Sequence, residues 1–308
     1  MSASSTRQGG ATASDGRFTR SKLDEVLRET CVLLGLEHRG ATLLRFTNNA
    51  VYSLARDPVV VRIVGSRALR HRAYKVVRVA EYLAAHDVPA VRLFGDVPQP
   101  LVVGDHVVTV WHRVPTTGRE ATSAELAGLL KSLHALPPPD GIAHWAPLDD
   151  VRARVADAEE LSAGDRRFLL ERCEFLERRL RELKFALPAS LVHGDAHPGN
   201  VIVGEEGPVL CDFDSSCVGP AEWDLVPLAV GYERFRDPPH RYTQLARHYG
   251  FDVRSWEGFP VLRAVRELKL TTSVLPIARS HPAVREELAR RLADLRHGRG
   301  GSQWFRYR

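Results

Sequence analysis

Hydrophobic positions first recur at helical spacing over residues 21–36, where Leu23, Val26, Leu27, Val32, Leu33 and Leu34 predict an amphipathic helix that stops at Gly35. Three short strand-like runs follow at 41–46, 51–55 and 59–64. Thr47-Asn48-Asn49 joins the first two, and Arg56-Asp57-Pro58 joins the second pair. Asn and Asp tolerate left-handed backbone and Pro presets a turn, so the pattern predicts a three-stranded meander. A helix over 68–86 and strands at 91–94 and 106–114 complete a β-β-β-α-β-β order, an antiparallel sheet with one helix against it.

Pro115-Thr116-Thr117-Gly118 ends the sheet, and the remainder reads as mostly helical. Thr122-x-x-Glu125 is a capping box opening a helix to about His134. Further helices are expected near 148–160, 163–186, 222–232, 240–249, 257–273 and 282–296, with a strand at 209–211. The fold class is therefore α+β. The expected organisation is a flexible tail at 1–20, a β-rich domain at 21–114, a hinge at 115–121 and a mainly helical domain at 122–308.

Composition changes this picture little: 44% hydrophobic and 26% charged residues form an ordinary globular mixture. Charge changes it more. The net charge is +5, yet residues 1–250 carry 31 basic and 32 acidic side chains, while residues 251–308 carry 12 and 6. The basicity is thus local to the end of the chain. There Glu286, Glu287 and Asp294 interrupt the arginines and no nucleic-acid module is recognisable, so nucleic acid is not an expected partner. No run approaches a membrane span. The tail lacks an apolar segment, and Cys31, Cys173, Cys211 and Cys217 lack C-x-x-C spacing. Both features point to a cytoplasmic setting. Only five of the 43 basic residues are lysines.

The chemistry is concentrated between residues 190 and 224. His193-Gly-Asp195-Ala-His197-Pro-Gly-Asn200 lies between two apolar runs, and Val209-Leu-Cys-Asp212-Phe-Asp214 follows a Gly-Pro turn. Two strand ends would thus present Asp195, Asn200, Asp212 and Asp214 in neighbouring loops, the usual place for chemistry. Phosphoryl transfer needs a carboxylate to orient the acceptor and hard oxygen ligands for Mg²⁺. Asp195 and Asn200 have the kinase catalytic-loop spacing D-x-x-x-x-N, and Asp212-Phe213 stands where D-F-G supplies a metal carboxylate. The competing chemistry is a metal hydrolase using His193, Asp195 and His197 at H-x-D-x-H spacing, since imidazoles suit zinc or iron.

The strings His193-Gly-Asp-Ala-His-Pro-Gly-Asn200, Cys211-Asp-Phe-Asp214, Gly219-Pro and Trp223-Asp224-Leu together resemble the aminoglycoside phosphotransferase family, within the choline-kinase-like superfamily. The resemblance covers roughly residues 35–300 and implies a protein-kinase-like bilobal fold, with a β-rich N-lobe and a helical C-lobe. It also implies an ATP- and Mg²⁺-dependent enzyme that phosphorylates a hydroxyl of a small molecule. By resemblance Asp195 is the catalytic base, Asn200 and Asp212 hold Mg²⁺, His193 and His197 shape the loop, Asp214 supports the site, and Asp224 is a structural carboxylate. Adenine would lie near Trp111, His112, Arg113 and Val114, held mainly through backbone groups. Asn48 or Asn49 would serve at the turn over the phosphates.

Two features depart from that pattern. Arg62 occupies the third-strand position of the kinase lysine, and guanidinium is not a conservative replacement for ammonium. Glu81 is the only acid between Arg67 and Ala85 and sits late in its helix, with Lys75 nearer the expected Glu position. These departures keep open a nucleotide-binding regulator that turns over slowly or not at all. The basic C-terminal segment tilts the acceptor away from a polycation towards a neutral or weakly charged molecule. Glu222, Glu233, Asp237 and Glu267 are the candidates for local negative charge. The Arg-rich helix near the end reads as a solvated face, and Trp304, Phe305 and Tyr307 as a segment that docks back or binds a partner.

Overall fold

The computed structural model describes residues 19–46, 49–65, 70–278 and 281–306. The chain divides into two compact units, residues 1–77 with 92–113, and residues 78–91 with 114–308.

In the first unit, α1 (Arg20–Leu34) starts at Thr19, whose hydroxyl accepts from the Lys22 amide at 3.3 Å, and ends at Gly35 with φ 67°. That left-handed residue costs glycine nothing. The strands β1 (Thr42–Phe46), β2 (Asn49–Ser53), β3 (Val59–Val64), β4 (Leu101–Val103) and β5 (His106–His112) form an antiparallel sheet ordered β1-β2-β3-β5-β4. Period-two alternation on β3 sends Val59, Val61 and Ile63 into a core with Leu23, Val26, Leu27 and Cys31 of α1. Each such buried side chain contributes roughly 1.5–3 kcal/mol. Arg62 takes the opposite face, in register with Val51 and Thr109.

The expected strand at 91–94 is absent: Leu93 makes one isolated bridge to Trp111. Phe94 donates its amide to the Val110 carbonyl, but the Gln99 side chain then bonds both the amide and the carbonyl of Val110, ending the ladder. The missed edge strand is β4, which hairpins onto β5 through Gly104, at φ 54°, and Asp105. Three residues are too few for a periodic signal.

The helix α2 (Arg70–Ala85) begins in the first unit and ends in the second. The second unit contains α3 (Ser123–His134), α4 (Asp149–Asp157) and α5 (Ala163–Glu182), then the pairs β6 (Ala189–Val192) with β9 (Cys217–Pro220) and β7 (Val201–Gly204) with β8 (Gly207–Leu210). It closes with α6 (Val226–Phe235), α7 (Pro239–Tyr249), α8 (Phe259–Thr272) and α9 (Pro282–His297). Where one helix was expected over 222–232, a 3₁₀ turn (Ala221–Leu225) precedes α6. Pro227 lacks an amide proton and lies in the first turn of α6, where no donor is needed.

The capping box of α3 is present: Thr122 Oγ1 accepts from the Glu125 amide at 3.2 Å, and Glu125 accepts from the Thr122 amide at 2.8 Å. Arg119 adds a fork of bonds to the same carboxylate. The Arg119 hydrogen bond, against the smaller effect of burial and with help from Thr122, lowers the Glu125 pKa from 4.5 to about 2. A depressed carboxylate contributes stability above its unfolded pKa and loses it as pH falls through the folded one. The wild type should therefore lose stability between about pH 4.5 and pH 2 more steeply than Glu125→Gln. At pH 7 the variant should be about 1 kcal/mol less stable. Denaturation midpoints across that range check both; parallel curves would reject the assignment.

The Arg-rich helix is not a purely solvated face. Arg291 of α9 is 1% exposed and bonds Glu287 at 2.9 Å and the Leu270 carbonyl at 3.2 Å. Trp304 packs back on this unit, while Tyr307 lies outside the described residues. Trp304 lies between the guanidinium groups of Arg234 and Arg291, donating its indole N–H to Asp294 at 2.9 Å. Among the described residues, no helix is long and apolar enough to cross a membrane.

Candidate active site

Two loops of the second unit carry the candidate residues. One runs from β6 to β7 (193–200) and the other from β8 to β9 (211–216). Because β6 pairs with β9, Val192 faces Cys217 and the loops leave the pair side by side. The pairing is backed by cross-links: the Cys211 amide donates to the Asn200 carbonyl at 3.0 Å, and Ser216 Oγ donates to the His193 carbonyl at 3.3 Å.

Asp224 holds the first loop from below. Its fully buried carboxylate accepts from the His193 amide at 2.6 Å, the Gly194 amide at 2.7 Å and His134 Nε2 at 3.0 Å. His134 Nδ1 lies 2.8 Å from the Tyr249 hydroxyl, and burial, with Asp224 and Glu222 nearby, pushes that phenol's pKa up. The chain Tyr249–His134–Asp224 thus supports the loop from α7 and α3. Trp223 completes it, donating its indole N–H to the Gly194 carbonyl at 3.2 Å. Gly194 sits at φ 82°, and a Cβ there would stand 2.1 Å from the Ser215 carbonyl oxygen. Only glycine meets both demands.

Within this frame Asn200, 7% exposed, donates from Nδ2 to the Asp195 carbonyl at 2.9 Å. Its side-chain oxygen is therefore set apart from its donor. Asp212 adopts φ 68°, ψ 67°, a left-handed conformation unusual outside glycine and turn-forming Asp or Asn. Asp214 follows in a short 3₁₀ turn (Phe213–Ser215). Among the described residues no cluster of three or more His, Cys, Asp or Glu could hold a metal. The donor set of the two loops is instead one amide oxygen and one carboxylate, hard ligands that fit Mg²⁺ completed by phosphate and water.

The histidines do not form a hydrolase site. His193 Nδ1 accepts from the Asp195 amide at 3.3 Å, and Nε2 is 2.9 Å from the Cys211 carbonyl, so both ring nitrogens serve the loop backbone. His197 Nε2 is 3.9 Å from Asp195 Oδ2, and burial lowers the His197 pKa despite that carboxylate.

A residue that sequence reasoning missed completes the centre. Arg266 of α8 donates from Nη2 to Asp195 Oδ1 at 2.7 Å. Burial alone would raise the Asp195 pKa, but Arg266 and His197 hold it below the usual carboxylate value. Arg266 lies 71 positions further along the chain, and only its place on a helix without a motif could have marked it.

In the first unit the candidates are placed as follows. Asn49 opens β2 opposite Val64, and Arg62 is half-buried on β3; Asn48 lies outside the described residues. Trp111 is buried, with its indole N–H on Thr109 Oγ1 at 2.9 Å. The amides of His112 and Arg113 are already given to the carbonyls of Arg92 and Pro58, at 2.9 and 2.7 Å. Those two backbone N–H groups are therefore engaged within the first unit. The Arg113 side chain is also engaged, with Ser53 and Leu54. Val114 belongs to the second unit, against Gly204.

The acids expected to supply local negative charge are engaged to different degrees. Glu222 accepts through Oε1 from the amides of Ala186 and Leu187, while its buried Oε2 has no hydrogen-bond partner among the described residues. Glu233 pairs with Arg254 and Arg263, Glu267 with Arg234 and Arg263, and Asp237 with Arg306.

The APH model of the phosphotransferase enzyme family matches residues 44–268 of the 308. A comparison with curated protein sequences found no match. Among solved structures, the chain is similar to an amicoumacin kinase in complex with AMP-PNP, Ca²⁺ and Ami, at 14% identity and TM-score 0.66, covering 91% of this chain and 96% of that one. It is similar to a choline kinase from Streptococcus pneumoniae, at 15% identity and TM-score 0.64, covering 88% and 99%. It is also similar to a macrolide 2'-phosphotransferase from Brachybacterium faecium, at 18% identity and TM-score 0.55, covering 87% and 98%. These likenesses agree with an α+β, protein-kinase-like bilobal fold. With more than half its length matched by the family model, the chain belongs to the APH phosphotransferase enzyme family.

Proposed function

We propose that the protein transfers the γ-phosphate of ATP to a hydroxyl of a small molecule. The observation that carries this reading is the braced loop pair, in which Asp195 and Asn200 lie on a loop held at His193 and Gly194 by Asp224 and Trp223, and the loop of Asp212 is tied to it through the Cys211 amide on the Asn200 carbonyl. Asp195 orients the acceptor hydroxyl and takes its proton as the new O–P bond forms, while the bond from Pγ to the bridging oxygen breaks and ADP departs. Asn200 and Asp212 would hold Mg²⁺, which when bound neutralises phosphate charge. The nucleotides and Ca²⁺ held in complexes of similar solved proteins support the nucleotide and divalent-metal part of the reading.

Arg62 takes the role of the missing lysine, gripping phosphate oxygens from the face of the sheet opposite α1. Arg62→Met should raise the KM for ATP about tenfold or more, the worth of a charge-assisted hydrogen bond. An unchanged KM would return Arg62 to a packing role.

ADP release measured with Mg²⁺ over a panel of hydroxylated molecules tests the whole reading. Acceptor-dependent release is expected. A rise in melting temperature with ATP and Mg²⁺, but no release with any acceptor, would make the protein a nucleotide-binding regulator instead.

A further inference from the structure

A cleft of about 700 Å³ lies between the end of α6, the start of α9 and the last described residues of the chain. That volume suits a drug-sized molecule. Its walls are aromatic: Phe235 closes α6, and Trp304 and Phe305 come from the segment after α9. Hydrogen bonds pin this segment in place. The Trp304 amide donates to the Arg234 carbonyl at 2.7 Å, the Phe305 amide donates to Glu287 at 2.9 Å, and the Phe305 carbonyl accepts from Arg291. The Phe305 ring, 52% exposed, is therefore held out on fixed backbone.

The charges of the lining cancel. Glu286 and Glu287 are matched by Arg290 and Arg306. Each arginine has a carboxylate, Arg290 on Glu287 at 3.6 Å and Arg306 on Asp237 at 2.5 Å. Each also stacks on a ring, Arg290 over Phe305 at 4.9 Å and Arg306 over Phe235 at 4.7 Å. An ammonium drawn to those rings meets a guanidinium already in place. A carboxylate meets arginines whose charge is already balanced. A flat uncharged ring meets neither cost, because it stacks on phenyl and guanidinium planes alike and takes apolar surface out of water.

Contacts on two sides connect the cleft to the catalytic loop. Arg234, the neighbour of Phe235, bonds Glu267 of α8 at 2.6 and 2.9 Å, and the preceding residue of α8, Arg266, bonds Asp195 Oδ1 at 2.7 Å. From the other side, Arg306 is close enough for its charge to act on His197, whose pKa is lowered first by burial. His197 Nε2 is in turn 3.9 Å from Asp195 Oδ2. With Oδ1 on Arg266 and the Asp195 side chain 38% exposed, Oδ2 is within reach of a hydroxyl.

We infer that the acceptor is an uncharged hydroxylated molecule with a flat aromatic ring, which lies along Phe305 and Phe235 in this cleft while its hydroxyl reaches Asp195. This gives a shape to the expectation of a neutral or weakly charged acceptor. It rests on the phosphotransferase reading for the reaction, and not for the binding of the ring.

Two measurements on the full chain test it. In the first, ADP release with Mg²⁺ is compared between 2-phenylethanol, 2-(2-naphthyl)ethanol and a hydroxyflavone on one side and glycerol, choline and kanamycin on the other. The highest kcat/KM is expected among the three aromatic compounds. Phe305→Ala should raise the KM for the best of them about tenfold or more, with a smaller change in kcat. In the second, binding of 2-(2-naphthyl)ethanol is titrated by calorimetry with ADP and Mg²⁺ present. It should weaken about tenfold or more in Phe305→Ala and be lost in Ala283→Trp, whose indole fills the cleft from the first turn of α9. Both positions are exposed, so both variants should keep the wild-type melting temperature.

Highest turnover with glycerol, choline or kanamycin would overturn the ring site and leave phosphotransfer standing. Ring binding that is lost in both variants, with no ADP release from any acceptor, would uphold the cleft as a ring site and overturn the reaction. Naphthylethanol binding that is absent, or equal in the wild type and both variants, would overturn the cleft itself.

Discussion

Asp195→Asn is expected to lower kcat by about 10²–10⁴-fold, the usual worth of a general base, while leaving the protein folded. Asparagine preserves the shape of the side chain, and its oxygen can still accept from Arg266. What it removes is the negative charge and the proton-accepting oxygen. Because Asp195 is about two-fifths exposed, losing its ion pair with Arg266 costs stability little. The backbone carbonyl that positions Asn200 is untouched. Nucleotide binding should therefore survive, as read by the melting-temperature shift with ATP and Mg²⁺. A variant with wild-type kcat would remove Asp195 from the mechanism. One that melts far below the wild type would show that its role is structural.

Asp224→Ala should have the largest effect on stability. It strips the acceptor from two buried backbone amides, His193 and Gly194, and from His134. Each buried donor left unpaired costs about 1–3 kcal/mol, so a loss on the order of 2–6 kcal/mol is expected, a large part of a typical domain's stability. Urea denaturation should show the midpoint falling sharply. Activity should fall further than the folded fraction does, because the loop carrying Asp195 loses its support. Asp224→Asn should lie between, since one oxygen remains but its NH₂ faces donors. A midpoint within error of the wild type would contradict the brace. If the midpoint falls and the specific activity of the folded protein does not, Asp224 stabilises the unit without positioning the loop.

These two residues also mark how far the sequence could be read. Asp195 lies in a string whose spacing is itself chemical information, so its candidacy needed no coordinates. Asp224 was legible as a carboxylate in a motif, but not its partner His134, 90 positions away at the end of an ordinary helix. The reading of 91–94 as a strand failed for a related reason. Apolar content there is real, but the Gln99 side chain takes the ladder positions that a longer strand would need. That the His112 and Arg113 amides bond to carbonyls from distant segments was likewise not legible in the sequence.

Local order and residue type follow from the sequence by itself: the meander, the helix ends at Gly35 and Thr122, the two chemical loops and the family. These rest on interactions between residues a few positions apart, where periodicity, turn preference and capping act directly. Long-range pairing was decided only by the tertiary structure. It spends the acids of the C-terminal segment on buried arginines, folds Trp304 back onto two of them, and brings Arg266 to Asp195. A count of charges cannot distinguish a guanidinium already paired inside the fold from one facing a substrate, because that depends on which carboxylate lies within a few ångströms.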